Sequence, residues 1–75
     1  MSRLSELSVG QQARVLNVHG DDPLSLRLLE MGVTKGVELK LIGTAPLGDP
    51  LEFEIRGYRL SVRKNEAERV EVEDI

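Results

Sequence analysis

The sequence has no cysteine and no tryptophan, and only one histidine, one phenylalanine and one tyrosine. Without cysteine there is no disulfide framework and no thiolate zinc site, so burial and hydrogen bonding must hold the fold. The single histidine has no serine or cysteine nucleophile in recognisable context, and neither a P-loop nor a dinucleotide fingerprint occurs. No residue qualifies as catalytic, and no cofactor is expected. Two aromatic residues are too few to line a groove that reads proline-rich peptides. No apolar run approaches the roughly 18 residues that cross a bilayer, and the opening MSRLSELSVG lacks the apolar segment of a signal peptide. A cytoplasmic protein without membrane insertion is expected. Positive charge is not in excess either: 10 Lys and Arg stand against 13 Asp and Glu, for a net charge of −3. No general field draws the chain to nucleic acid.

What is present is strand pattern. Seventy-five residues suit one domain, spanning 1–75, with a single small core. Val37, Leu39 and Leu41 alternate with Glu38 and Lys40. Leu51, Phe53 and Ile55 alternate with Glu52, Glu54 and Arg56, and Leu60 and Val62 with Arg59, Ser61 and Arg63. Val70 and Val72 alternate with Glu71 and Glu73. Period-2 alternation marks strands with one buried face. In ARVLNVH (13–19) the apolar parity changes between Val15 and Leu16, which predicts a bulge or a strongly bent strand. Gly57-Tyr58 reads as a two-residue turn, pairing Ile55 with Leu60 and Phe53 with Val62 and setting Arg56 opposite Arg59.

One helix is predicted, in DDPLSLRLLEMG: Asp22 caps it, Pro23 takes the first helical position and Gly32 the left-handed C-terminal position. A single turn at NEAE (65–68) has Asn65 as its cap and Glu68 three residues on. The expected fold is mainly β: a small SH3-like five-stranded antiparallel barrel, with one short α-helix between the first two strands and a helical turn before the last. An OB-like barrel is the next choice.

Four features are candidates for function. Leu24, Leu28 and Met31 share the helix face expected to meet the core, whereas Leu26 and Leu29 point about 100° or more away. Either the N-terminal segment with Leu4 and Leu7 covers this second face, or the face binds a partner. The loop TAPLGDP (44–50) is stiff, with Pro46 at the second and Gly48 at the fourth position of a turn and Pro50 leading into a strand. Its Leu47 is expected to fold back as a plug for the barrel end; the other reading makes Pro46, Leu47, Gly48 and Asp49 a contact surface. Arg56, Tyr58, Arg59, Arg63 and Lys64 form a basic hairpin, either a solvated face or a binding site whose facing arginines leave room for phosphate or an acidic patch. HGDD (19–22) offers His19, Asp21 and Asp22 as crowded metal ligands, but the aspartates already serve the helix start, and no metal site is assigned.

RLLEMGVTKGVELKLI (27–42), APLGDPLEFEIRGYRLSVRKNEA (45–67) and RVEVE (69–73) together resemble the FeoA family of small cytosolic ferrous iron transport proteins. LSVGQQARVLNVHG is similar to the family's first strand and its leading glycine turn. The resemblance implies an SH3-like barrel and a non-enzymatic accessory role in ferrous iron uptake. The implied partner is FeoB, a membrane transporter with a cytosolic G-protein domain. The partner-binding candidates are then Leu26, Leu29, Pro46, Leu47, Gly48, Asp49, Arg56, Tyr58 and Arg59. Two other readings stand beside it: a nucleic-acid-binding module using the arginine hairpin, and a metal-responsive regulatory domain. The surplus apolar surface also leaves homo-oligomerisation open.

Overall fold

The computed structural model describes residues 2–75. Six strands form one antiparallel sheet in the order β1-β6-β2-β3-β4-β5: β1 is Ser2–Arg3, β2 Gln12–Val18, β3 Glu38–Thr44, β4 Leu51–Ile55, β5 Tyr58–Val62 and β6 Val70–Asp74. Helix α1 is Pro23–Glu30 and α2 is Lys64–Ala67, with a single 3-10 turn at Leu4–Glu6. The sheet curls around Val15, Leu39, Leu41, Phe53, Ile55, Val62, Val70 and Val72, all buried. These are the alternating apolar positions of the sequence, and their burial is the main force closing so small a barrel. The extra strand, β1, is only two residues long and pairs Ser2 with Val72 and Arg3 with Glu71. No period can be read from two residues.

The bulge expected in β2 is present, since its pairing with β6 shifts register between Val15 and Asn17. A second shift, between Leu41 and Gly43, bends β3 against β4. Outside the barrel, Arg14 spans two strand pairs, reaching Glu38 on β3 and Glu73 on β6 at 3.0 Å each.

The β4–β5 register differs from the sequence expectation. Ile55 pairs with Tyr58, Phe53 with Leu60, Leu51 with Val62 and Glu54 with Arg59. The turn residues are Arg56 and Gly57, both left-handed at φ 50° and 84°, which is the signature of a type I′ hairpin. Arg56 therefore does not face Arg59. Moving the pairing by two residues keeps every side chain on its face, so alternation could not choose between the registers.

α2 also differs at its start. Asn65 is not the cap: Arg63 is, and its backbone N–H donates to Glu66 Oε1 at 3.0 Å. Leu4 and Leu7 are buried in the main core, beside α2 and β6, and do not cover α1.

An arginine in left-handed backbone is strained by roughly 1 kcal/mol relative to residues that tolerate that region. Arg56→Asn, giving Asn-Gly at the turn, is expected to raise stability by about 0.5–1 kcal/mol in urea unfolding without changing the fold.

Candidate interaction surface

The helix α1 is built as its residues predict at both ends. Asp22 accepts from the Ser25 backbone N–H at 3.3 Å, and Pro23 follows it. Gly32 closes the C-terminus at φ 100°. Between them the faces divide. Leu28 is fully buried, Met31 is partly buried on the core margin, and Leu24 is only half-buried. The buried position beside Leu28 is taken by Ser25, whose hydroxyl donates to the His19 carbonyl at 2.6 Å. Leu26 and Leu29 face outward, 58% and 45% exposed.

Besides the Ser25–His19 bond, three polar links between side chains or from a side chain hold α1 in place among the described residues. At its start Arg69 Nη1 lies 2.7 Å from Asp22 Oδ1. Burial pulls the Asp22 carboxyl upward, but the Ser25 N–H, the Arg69 charge and the bonds from Ser25 Oγ and Arg69 together outweigh it and leave the group below its ordinary value. In the middle, Arg27 Nε lies 3.6 Å from Glu66 Oε2 on α2. At the end, the Tyr58 hydroxyl donates to the Met31 carbonyl at 3.0 Å, directly over Gly32. Neither Ser25 nor Arg69 was singled out from sequence. The serine three residues after a cap was a usable signal for the first; nothing marked the second.

The candidates gather only in part. Tyr58 is at the C-terminal end of α1, and Arg59 follows it on β5 with Glu54 opposite. The facing arginines on which a phosphate site was premised are replaced by this cross-strand pair of opposite charge. The loop holding Leu47 lies at the far end of the β4–β5 hairpin. Its turn is as expected, with the Gly48 N–H donating to the Ala45 carbonyl at 2.7 Å, and the Pro50 carbonyl accepting from Ala45 N–H at 3.0 Å. Asp49 Oδ1 accepts from the Lys64 N–H at 2.9 Å, which fastens the loop to the start of α2. Leu47 does not plug the barrel: it is 96% exposed. A stiff turn pinned at Asp49 holds its central side chain away from the core.

His19 Nε2 meets Glu71 Oε1 at 3.1 Å, while Asp22 is engaged by Ser25 and Arg69. The three HGDD candidates do not converge, and no group of three potential ligands comes together among the described residues. No helix among those residues is long and apolar enough to cross a membrane.

The architecture is that of a small SH3-like barrel carrying one short helix with an outward apolar face. The FeoA domain model matches residues 2–74, and the chain belongs to the FeoA family. It is 41% identical over 71 residues to the Fe(2+) transport protein A/Fe(2+) transporter FeoB fusion protein of Porphyromonas gingivalis, a match covering 95% of this chain and 8% of that much longer relative. Among solved structures, the FeoA-like protein of Clostridium acetobutylicum aligns with a TM-score of 0.90 at 32% identity, over 100% of this chain and 91% of that one. Stenotrophomonas maltophilia FeoA, a prokaryotic SH3 domain protein crystallised with zinc, aligns at 0.82 and 35% identity, over 97% and 91%.

Two measurements test the links on α1. A Cβ on Gly32 would lie 2.5 Å from Tyr58 Oη in backbone that disfavours side chains. Gly32→Ala is therefore expected to cost about 2 kcal/mol in urea unfolding, and Tyr58→Phe about 1 kcal/mol. Because the folded Asp22 carboxyl sits below its unfolded value, its stabilisation is full above the unfolded pKa and disappears as pH falls through the folded one. The stability gap between wild type and Asp22→Asn is expected to be constant above about pH 5 and to close on acidification below the ordinary carboxylate range.

Proposed function

We propose that this protein is a non-enzymatic accessory of ferrous iron uptake, which docks on the cytosolic part of a FeoB-like transporter and shifts the transporter's conformational or nucleotide-linked equilibrium. The observation that carries the proposal is the exposed Leu26 and Leu29 pair on an otherwise well-anchored helix. Contiguous apolar side chains left in solvent mark interaction sites more often than chance, and the helix is held too firmly by its three polar links to fold them inward. Family membership and the relative in which an FeoA and an FeoB are one polypeptide support the choice of partner and of ferrous iron transport as the process. Joining two modules in one chain raises their effective concentration to roughly the millimolar range for a short flexible linker. Contacts within such a fusion can be individually weak and still populated, as a reversible regulatory contact needs to be.

On this reading Tyr58 and Arg59 extend the leucine patch beyond the C-terminus of α1. Pro46, Leu47, Gly48 and Asp49 form a second, preorganised contact with little ordering entropy to lose on binding. Regulation requires that the docked protein bind one state of the transporter better than another. Cytoplasmic location follows from the partner surface proposed.

The test is a pull-down with the transporter's cytosolic domain, with and without guanine nucleotide. Leu26→Glu with Leu29→Glu is expected to leave the far-UV spectrum and melting temperature near wild type and to weaken capture about tenfold or more. Capture unchanged by the double substitution would remove the helix from the contact.

A further inference from the structure

The sheet ends at β5. In the order β1-β6-β2-β3-β4-β5 this strand has one neighbour, so half of its backbone groups have no strand to pair with. Which half follows from the hairpin. Ile55 and Tyr58 flank a two-residue turn and form a hydrogen-bonded pair. Alternation then makes Phe53 with Leu60 and Leu51 with Val62 the other bonded pairs and turns the N–H and C=O of Arg59 and Ser61 outward. Both residues are exposed, and among the described residues no hydrogen bond outside the β4 ladder reaches their backbone.

We propose that the outer edge of β5 is a strand-addition site for an extended partner segment whose side chains alternate acidic and apolar. An exposed edge is a template for another strand, with main-chain bonds giving affinity and alternate side chains giving specificity. The specificity can be read from β5 itself. Arg59, and Arg63 in extended backbone one residue past the strand's end, have the parity of its outer face with Ser61 between them, so a strand laid alongside meets positive charge at every second outward position. On the inner face it meets Leu60, partly buried on the core margin with Met31. The chain already contains the complementary pattern. β6 reads Val70, Glu71, Val72, Glu73, with its valines in the core and Glu73 held 3.0 Å from Arg14 of the strand beside it. The incoming segment repeats that relation with Arg59 and Arg63 in place of Arg14. A second copy of this chain fits less well: antiparallel pairing centred on Ser61 sets Arg59 against Arg63, pairing centred on Arg59 sets it against itself, and pairing centred on Leu60 sets it against Ser61, so β5 of another copy offers no carboxylate to Arg59 in any of these registers. The proposal rests on the docking reading for its biological setting, but it uses a contact that reading does not include.

The probe is a short synthetic peptide of alternating glutamate and valine, titrated into the isotope-labelled protein. The expected result is shift changes and slowed amide exchange centred on Arg59 and Ser61, with affinity that falls as salt is raised. Ser61→Pro removes an outward N–H without touching the β4 ladder, and is expected to weaken binding about tenfold while Ser61→Ala does not. Should Ser61→Pro unfold the protein, the same peptide N-methylated at alternate residues gives the equivalent loss with wild type. Equal binding of the methylated peptide, shift changes away from β5, or no saturable binding overturns the proposal. So does a dimer in light scattering that Ser61→Pro dissolves, which would assign the edge to a second copy. The pull-down separates the two proposals: wild type failing to capture the transporter domain removes the docking reading whatever the peptide does. Capture lost in the Leu26 and Leu29 variant but intact in Ser61→Pro removes the edge from that complex.

Discussion

The arrangement of this barrel depends on how one short helix is fixed to it. Eight residues with a single fully buried leucine cannot orient themselves by an apolar seam, and an isolated helix of this length is not stable in water. Asp22 with Ser25 and Arg69, Arg27 with Glu66, and Tyr58 with the Met31 carbonyl replace that seam with links at the start, middle and end. Each reaches a different part of the chain: the residues just before β6, α2, and the start of β5. The orientation of Leu26 and Leu29 is a consequence of these links, since with Leu28 turned into the core the helical period leaves both of the others outside.

Glu66 shows how polar groups act inside so small a core. Its side chain is 1% exposed; one oxygen accepts the Arg63 N–H, and the other has no hydrogen-bond donor among the described residues. The Arg27 guanidinium, itself 61% exposed, offsets that second oxygen's desolvation from 3.6 Å. A buried carboxylate is destabilising unless its charge is met, so Arg27 is tied to α2 although its own surroundings are wet. Through Arg63, Glu66 and Arg27 the end of β5 and the middle of α1 become one unit. With Tyr58 and Met31 linking the other end, β5 and α1 are joined at two points.

Most of the barrel was legible in the sequence because burial and alternation carry the same information. The strands around Leu39, Phe53, Val62 and Val70, the bulge in β2 and the capped start of α1 follow from patterns that tertiary structure had no reason to override. The failures have separate physical causes. The β4–β5 register was misread because pairings two residues apart bury the same side chains, and turn chemistry argued against an arginine in left-handed backbone. Asn65 was a sound cap by propensity, but Glu66 reaching back to the Arg63 N–H and Asp49 accepting the Lys64 N–H start the helix two residues earlier, and the Ala67 and Glu68 N–H groups that an Asn65 cap would serve bond to the Arg63 and Lys64 carbonyls. Leu47 was expected inside because it is a leucine, whereas the geometry of its turn decides where it points. Of the candidate surface, the outward helix face was readable as an alternative from angles alone. The joining of Tyr58 to α1 was not, since it depends on a glycine whose missing side chain makes room for a hydroxyl far away in sequence.

A domain of this size has stability of only a few kcal/mol to lose, which gives weight to the places where its sequence departs from what the fold rewards. Glutamate or lysine at Leu26 or Leu29 would match leucine in helix propensity, so helix formation does not account for the leucines. Arg56 stands where asparagine would relieve the turn, and Leu47 contributes no burial at all. Arg59 differs only in that the register sets it opposite Glu54, a residue of opposite charge. Leu47 and Arg56 also lie at opposite ends of the β4–β5 hairpin, separated by a strand of five residues, about 13 Å of extended chain. A contact that uses both must therefore run along the strand rather than sit on one turn, a span that a single interface of ordinary size covers.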